Sequence, residues 1–101
     1  MPRFKDGVEF SGMHSRVLAA LSHIDDATWT WANRDAIITS AREGTHSKGS
    51  LHYTGAALDV RTRDMNGSAK EGYAADLQVA LGDDFDVVIE PTHIHVEYDP
   101  K

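Results

Sequence analysis

The stretch "SLHYTGAALDV", residues 50–60, sets His52 and Asp59 seven positions apart across a run of small residues. A second stretch, "IEPTHIHVEY" at residues 89–98, carries His93 and His95 two apart. Four of the six histidines fall in or beside these two segments. Both stretches alternate as strands do. Leu58 and Val60 share one face of the first, with Ala57, Asp59 and Arg61 on the other. In the second, His93, His95 and Glu97 oppose Ile94, Val96 and Tyr98. Each strand has an apolar side for a core and a polar side able to do chemistry. Neighbouring antiparallel strands bring such polar groups into contact range. Gly55, Ala56 and Ala57 keep side chains away where backbone must approach closely.

Outward from these strands, Met13, Val17, Leu18, Leu21 and Ile24 recur at helical spacing, with Ser11 as a candidate N-cap. The following "DDATWTWANRD", residues 25–35, reads as a loop or irregular extension. "AIITS", residues 36–40, is β-branched and short, which predicts a buried strand. "REGTHSKGS", residues 42–50, is a loop by its glycines and polar residues. After an Asn-Gly turn, Ser68 and Glu71 form a candidate capping box. The helix they open carries Ala69, Tyr73, Leu77, Ala80 and Leu81 and stops at Gly82. "FDVVIE", residues 85–90, is a strand, and Pro91 marks the turn into the histidine strand. The order α-β-β-α-β-β predicts an α+β fold, a small, mainly antiparallel sheet packed with two helices, in one domain over residues 1–101.

Composition narrows the function. The 101 residues are 41% hydrophobic and 26% charged, ordinary for a soluble globular chain. The net charge is −6 and the ten Lys and Arg residues are scattered along the sequence, so neither nucleic acid nor a membrane is an expected partner. "MPRFKDGVEFSG", residues 1–12, lacks an apolar core, so no secretory signal is expected and the location is expected to be cytoplasmic. With no cysteine, any tight metal site must use His, Asp and Glu. Two imidazoles and a carboxylate with one open position is the donor set of a catalytic zinc site.

The fixed positions of the pattern S-x-H-x-x-G-x-A-x-D are all filled, by Ser50, His52, Gly55, Ala57 and Asp59, and "HIH" supplies the accompanying H-x-H. This resembles the zinc peptidases of the M15 class: D-Ala-D-Ala carboxypeptidases and dipeptidases, and phage L-alanyl-D-glutamate endolysins. It is also similar to the zinc-bearing signalling domain of Hedgehog proteins, which shares that fold. The resemblance runs from about Ile37 to Tyr98. It implies a Hedgehog/DD-peptidase-like fold with Zn2+ held by His52, Asp59 and His95. It makes Glu90 the general base and His93 a group that supports the site or the transition state. Arg42, in "TSAREG", becomes a substrate-binding arginine, and Ser50 orients groups around the site. Some members instead use the histidine of E-x-x-H as ligand, which "EPTH" fits with His93; the complete H-x-H favours His95.

The reaction so implied is zinc-assisted hydrolysis of an amide bond, with a bacterial cell-wall (peptidoglycan) stem peptide or another short peptide as substrate. The expected form is a monomer, either a phage lysis enzyme released to the wall by a holin or an intracellular peptidase. A different class fits the same residues: a zinc-stabilised binding module of the Hedgehog type without turnover.

Overall fold

Strand alternation and helical spacing give each element one apolar surface, and these surfaces meet in a shared core. The computed structural model describes residues 1–42 and 55–100. Its elements are β1 (Arg3–Phe4), α1 (Ser15–Ala32), β2 (Ile37–Ser40), β3 (Ala57–Arg61), α2 (Gly67–Leu81), β4 (Phe85–Ile89) and β5 (His93–Tyr98). The five strands form one sheet in the order β1-β2-β3-β5-β4. Only β1 and β2 run parallel; the other pairs are antiparallel. The expected α+β architecture, two helices with a mainly antiparallel sheet, is the one observed. Among the described residues no helix is long and apolar enough to cross a membrane.

The predicted alternation holds on the two central strands except at Ala57, which is buried although it lies on the face of Asp59 and Arg61. Leu58, Val60, Ile94 and Val96 are buried against Val17, Ile24, Tyr73 and Leu77 of the helices. Each such side chain contributes on the order of 1.5–3 kcal/mol on leaving water. Asp59, Arg61, His93, His95 and Glu97 are left on the opposite, open face. There they stay only partly buried.

Three local expectations are corrected. The segment read as a loop, residues 25–35, is mostly helix, because α1 runs on to Ala32 and stops at Asn33 in the left-handed region with φ 55°. Thr and Trp are modest helix formers, and tertiary contacts override that preference. Thr28 is buried one turn beyond Ile24. The Trp31 ring lies where a Cβ on Gly72 of α2 would collide with it, and its indole N–H donates to Asp76 at 2.6 Å. The helix start also moves. His14, not Ser11, is the N-cap of α1, and its Nδ1 accepts the Arg16 N–H at 3.0 Å. For α2 the cap is Asn66, accepting from the Ala69 N–H at 2.8 Å, rather than Ser68 with its capping box. Gly82 does end that helix. The remaining addition is β1, whose two residues are too few to leave a periodic signal.

The two helices are joined by one buried polar contact. Tyr73 Oη lies 2.7 Å from Thr28 Oγ1, which is also 2.7 Å from the Ile24 carbonyl. A threonine hydroxyl has one proton, so Thr28 donates to Ile24 and Tyr73 donates to Thr28. Burial pushes the Tyr73 phenol from 10.0 up to about 12. The folded state therefore favours the neutral phenol. The stability this supplies is full below pH 10 and is lost as pH rises through about 12. We expect one of the three tyrosines to ionise late in an alkaline absorbance titration, together with unfolding. Tyr73→Phe should remove that late step and cost about 0.5–1.5 kcal/mol at neutral pH. Three tyrosines titrating together near 10 would refute the assignment.

Candidate metal and catalytic site

The register of β3 against β5 builds the centre of the open face. Asp59 pairs with His95, and Arg61 with His93. Paired residues in an antiparallel ladder point the same way, so the alternation read from sequence becomes direct contact. Asp59 Oδ1 lies 3.0 Å from His95 Nδ1, and Glu97 Oε1 lies 2.8 Å from His95 Nε2. His93 Nε2 stands further off, 3.8 Å from Asp59 Oδ2. Its other nitrogen is 3.2 Å from Thr92 Oγ1.

His95 thus sits between two carboxylates. Both ring nitrogens can donate only in the imidazolium form. The Asp59 hydrogen bond raises its pKa above the ordinary 6.5, burial opposes the rise, and the Glu97 hydrogen bond adds to it. A metal ion shared by Asp59 and His95 would take the place of the proton between them. Two ligands at about 2.0–2.2 Å from a tetrahedral ion stand roughly 3.3 Å apart. The observed 3.0 Å is close to that spacing, so the pair fits two corners of a zinc site. Glu97 on the far nitrogen then matches the carboxylate that commonly backs a metal-ligating imidazole.

The other site residues fall as follows. His52 and Ser50 lie outside the described residues. Glu90 follows β4, and its N–H donates to the His93 carbonyl at 2.9 Å, which keeps the hairpin paired up to the histidine strand. The Pro91 carbonyl accepts from Lys70 Nζ at 2.6 Å, tying the turn to α2. Arg42 follows β2, and its guanidinium donates to the Ser11 carbonyl at 3.1 Å. Its backbone N–H reaches the Glu9 carbonyl, also at 3.1 Å. These contacts fasten the segment before α1. Gly55, the motif glycine, has φ +78°, and a Cβ there would lie 2.6 Å from the Gly12 carbonyl oxygen. Its own carbonyl accepts the His14 N–H at 2.9 Å. The glycine thus permits a close backbone approach, as its neighbourhood of small residues suggested.

Sequence reasoning missed one carboxylate group. Asp86, Glu97 and Asp99 offer oxygens that all lie within 4.8 Å of one another, a group that could hold a metal ion. The signal was the β4 alternation, which puts Asp86 opposite Glu97. Among the described residues this is the only such group of three; the zinc set inferred from the motif has His52 as its third member.

A two-helix α+β fold with a mixed five-stranded sheet and an Asp–His pair at its open centre is consistent with the Hedgehog/DD-peptidase-like class. A family model, the Hedgehog amino-terminal signalling domain, matches residues 9–97, most of the chain. This protein belongs to that family. The match supports the Hedgehog side of the resemblance and singles out no M15 peptidase. A comparison with curated proteins gave no match.

The carboxylate contacts at His95 give a testable pH dependence in metal-free protein. Its raised pKa means that the imidazolium stabilises the fold fully below about 6.5, and that this contribution is lost as pH rises through the folded-state value. Followed by NMR titration of the His95 ring, Asp59→Asn should lower the midpoint. The same substitution should also flatten the fall in stability above neutrality. An unchanged His95 midpoint in Asp59→Asn would mean that the 3.0 Å contact does not hold the proton.

Proposed function

We propose that this chain is a zinc-dependent peptidase that hydrolyses amide bonds in peptides of the bacterial cell-wall type. The observation that carries the reading is the Asp59–His95 contact of 3.0 Å on an open sheet face. His52 completes the proposed ligand set. Zinc in such a setting polarises a carbonyl and acidifies water.

The chain's own residues supply the rest. Glu90 takes the proton from the attacking water and returns it to the leaving amine. Its strand-end position is supported by the backbone bond to His93 and by the Lys70 contact at Pro91. His93, oriented through Thr92, stabilises the oxyanion. Glu97 holds the His95 ring in place. Arg42, by the M15 resemblance, binds a substrate carboxylate or carbonyl, and Ser50 orients groups around the metal.

A second reading is favoured by the family match itself: a zinc-stabilised binding module without turnover. The two readings share the metal site and part at Glu90.

Zinc content after dialysis tests the ligand set. We expect Asp59→Asn and His95→Ala to lose the metal and His93→Ala to retain it, with affinity weakened by about 10–100-fold at most. Loss of zinc in His93→Ala with retention in His95→Ala would exchange their roles.

Hydrolysis tests the class. Glu90→Gln is nearly isosteric and should bind zinc and melt as the parent does, while cleavage of peptidoglycan peptides falls by about 10²–10⁴-fold. The check is mass spectrometry of peptidoglycan fragments after incubation with the zinc-loaded protein. If the unaltered protein releases no new termini, the binding module is the better reading. Unchanged turnover in Glu90→Gln would place the base elsewhere.

A further inference from the structure

Cations scattered along the sequence are gathered by the fold at one end of the open face. A cleft of about 230 Å³ there is lined by Lys5, Thr39, Arg61, Arg63, Thr92 and His93. The sheet order explains the gathering. The Lys5 N–H donates to the Ile38 carbonyl at 2.9 Å, extending the β1–β2 pairing. Arg61 ends β3 directly opposite His93, and the Thr62 N–H donates to the Thr92 carbonyl at 3.0 Å, holding the start of the Arg63 loop to β5. Positions far apart in the chain thus meet across four adjacent strands.

Two features make the cleft more than a charged patch. No carboxylate lines it, in a chain of net charge −6. Outside the cleft, Arg3 pairs with Asp35, Arg16 with Asp84 and Arg34 with Asp64. Among the described residues, Lys5, Arg61 and Arg63 form no direct ion pair, and Arg61 acts on the Asp64 carboxylate only at longer range. Charges of one sign converging on a concave wall repel one another, and an anionic guest relieves that cost. The second feature is continuity. His93 lines the cleft and also stands 3.8 Å from Asp59, so the cleft opens beside the Asp59–His95 pair.

We infer that this cleft binds a carboxylate of the peptide that lies across the Asp59–His95 pair. The inference rests on the proposed placement of a peptide at that pair, and it holds for either an enzyme or a binding module. Arginine favours a carboxylate because its planar fork matches two oxygens. The cleft of about 230 Å³ is large enough for a carboxylate on a short carbon stem. Two sources supply that group: an acidic side chain or the chain terminus.

Binding can be read without turnover, so its failure is distinct from failure of hydrolysis. The protein is the full chain carrying Glu90→Gln, loaded with zinc. Calorimetry compares the peptide Ala-Glu-Ala with Ala-Gln-Ala, each with a free and an amidated terminus, and glutarate with inorganic phosphate. We expect loss of one carboxylate, and not the other, to weaken binding by about 10–100-fold, which identifies the source. Arg61→Gln and Arg63→Gln should remove that preference while melting as the parent does. Arg61→Lys should restore it poorly, and Arg3→Gln, outside the cleft, should leave it intact. Added salt should weaken the preferred peptide more than its neutral counterpart. Equal binding of all four peptides overturns the inference, as does a preference that survives the double substitution at Arg61 and Arg63. Tighter binding of phosphate than of glutarate would also overturn it, since the guest would then not be a carboxylate.

Discussion

The two-sidedness of β3 is the constraint on which the rest depends. A strand at the centre of the sheet must satisfy neighbours on both edges, and its side chains have nowhere to go but up or down. Leu58 and Val60 go into the core; Asp59 and Arg61 go to the open face. A slip of one residue against β5 would bury Asp59 and expose the valine beside it. The apolar contacts that stabilise the core therefore hold the functional register as well. Asp59 meets His95 because Val60 meets Ile94.

Across the open face the charge is graded. Lys5, Arg61 and Arg63 stand at one end, and Asp86, Glu97 and Asp99 at the other. Asp59 and His95 lie between, with Glu97 bridging to the acidic side. When protonated, His95 offsets part of the local negative charge. A dipositive ion would do so more strongly, which is one physical reason for two carboxylates to flank a single ring. A peptide with an anionic group would meet the same field in one orientation more favourably than in the other. For a peptide bound as proposed, the gradient would give direction as well as affinity.

The segment before α1 supports this face from the side. Gly55 enters β3 with its Cα against Gly12 and Met13, and Arg42 caps the Ser11 carbonyl from the end of β2. His14 then caps α1 while its ring lies 4.7 Å from that of Tyr98 at the end of β5. Gly55 is therefore a close-packed junction between the N-terminal segment and the strand that carries Asp59. A side chain at Gly55 would strain the backbone and push these parts apart.

What the sequence by itself determined was periodicity and the family resemblance. The alternation in "ALDVR" and "HIHVEY" was enough to assign faces, and the motif with its H-x-H was enough to nominate Asp59 and His95, because both are local patterns. Gly82 was likewise legible as a helix stop. Local rules failed where packing or pairing at long range decides. Residues 25–32 became helix through contacts with α2, and β1 exists only because β2 offers it an edge. Nothing local joins Lys5 to Arg61 and Arg63. Their meeting, like the exchange of Ser11 for His14 as cap, was decided by the tertiary structure, since strand order and the approach of separate backbones are properties of the assembled sheet.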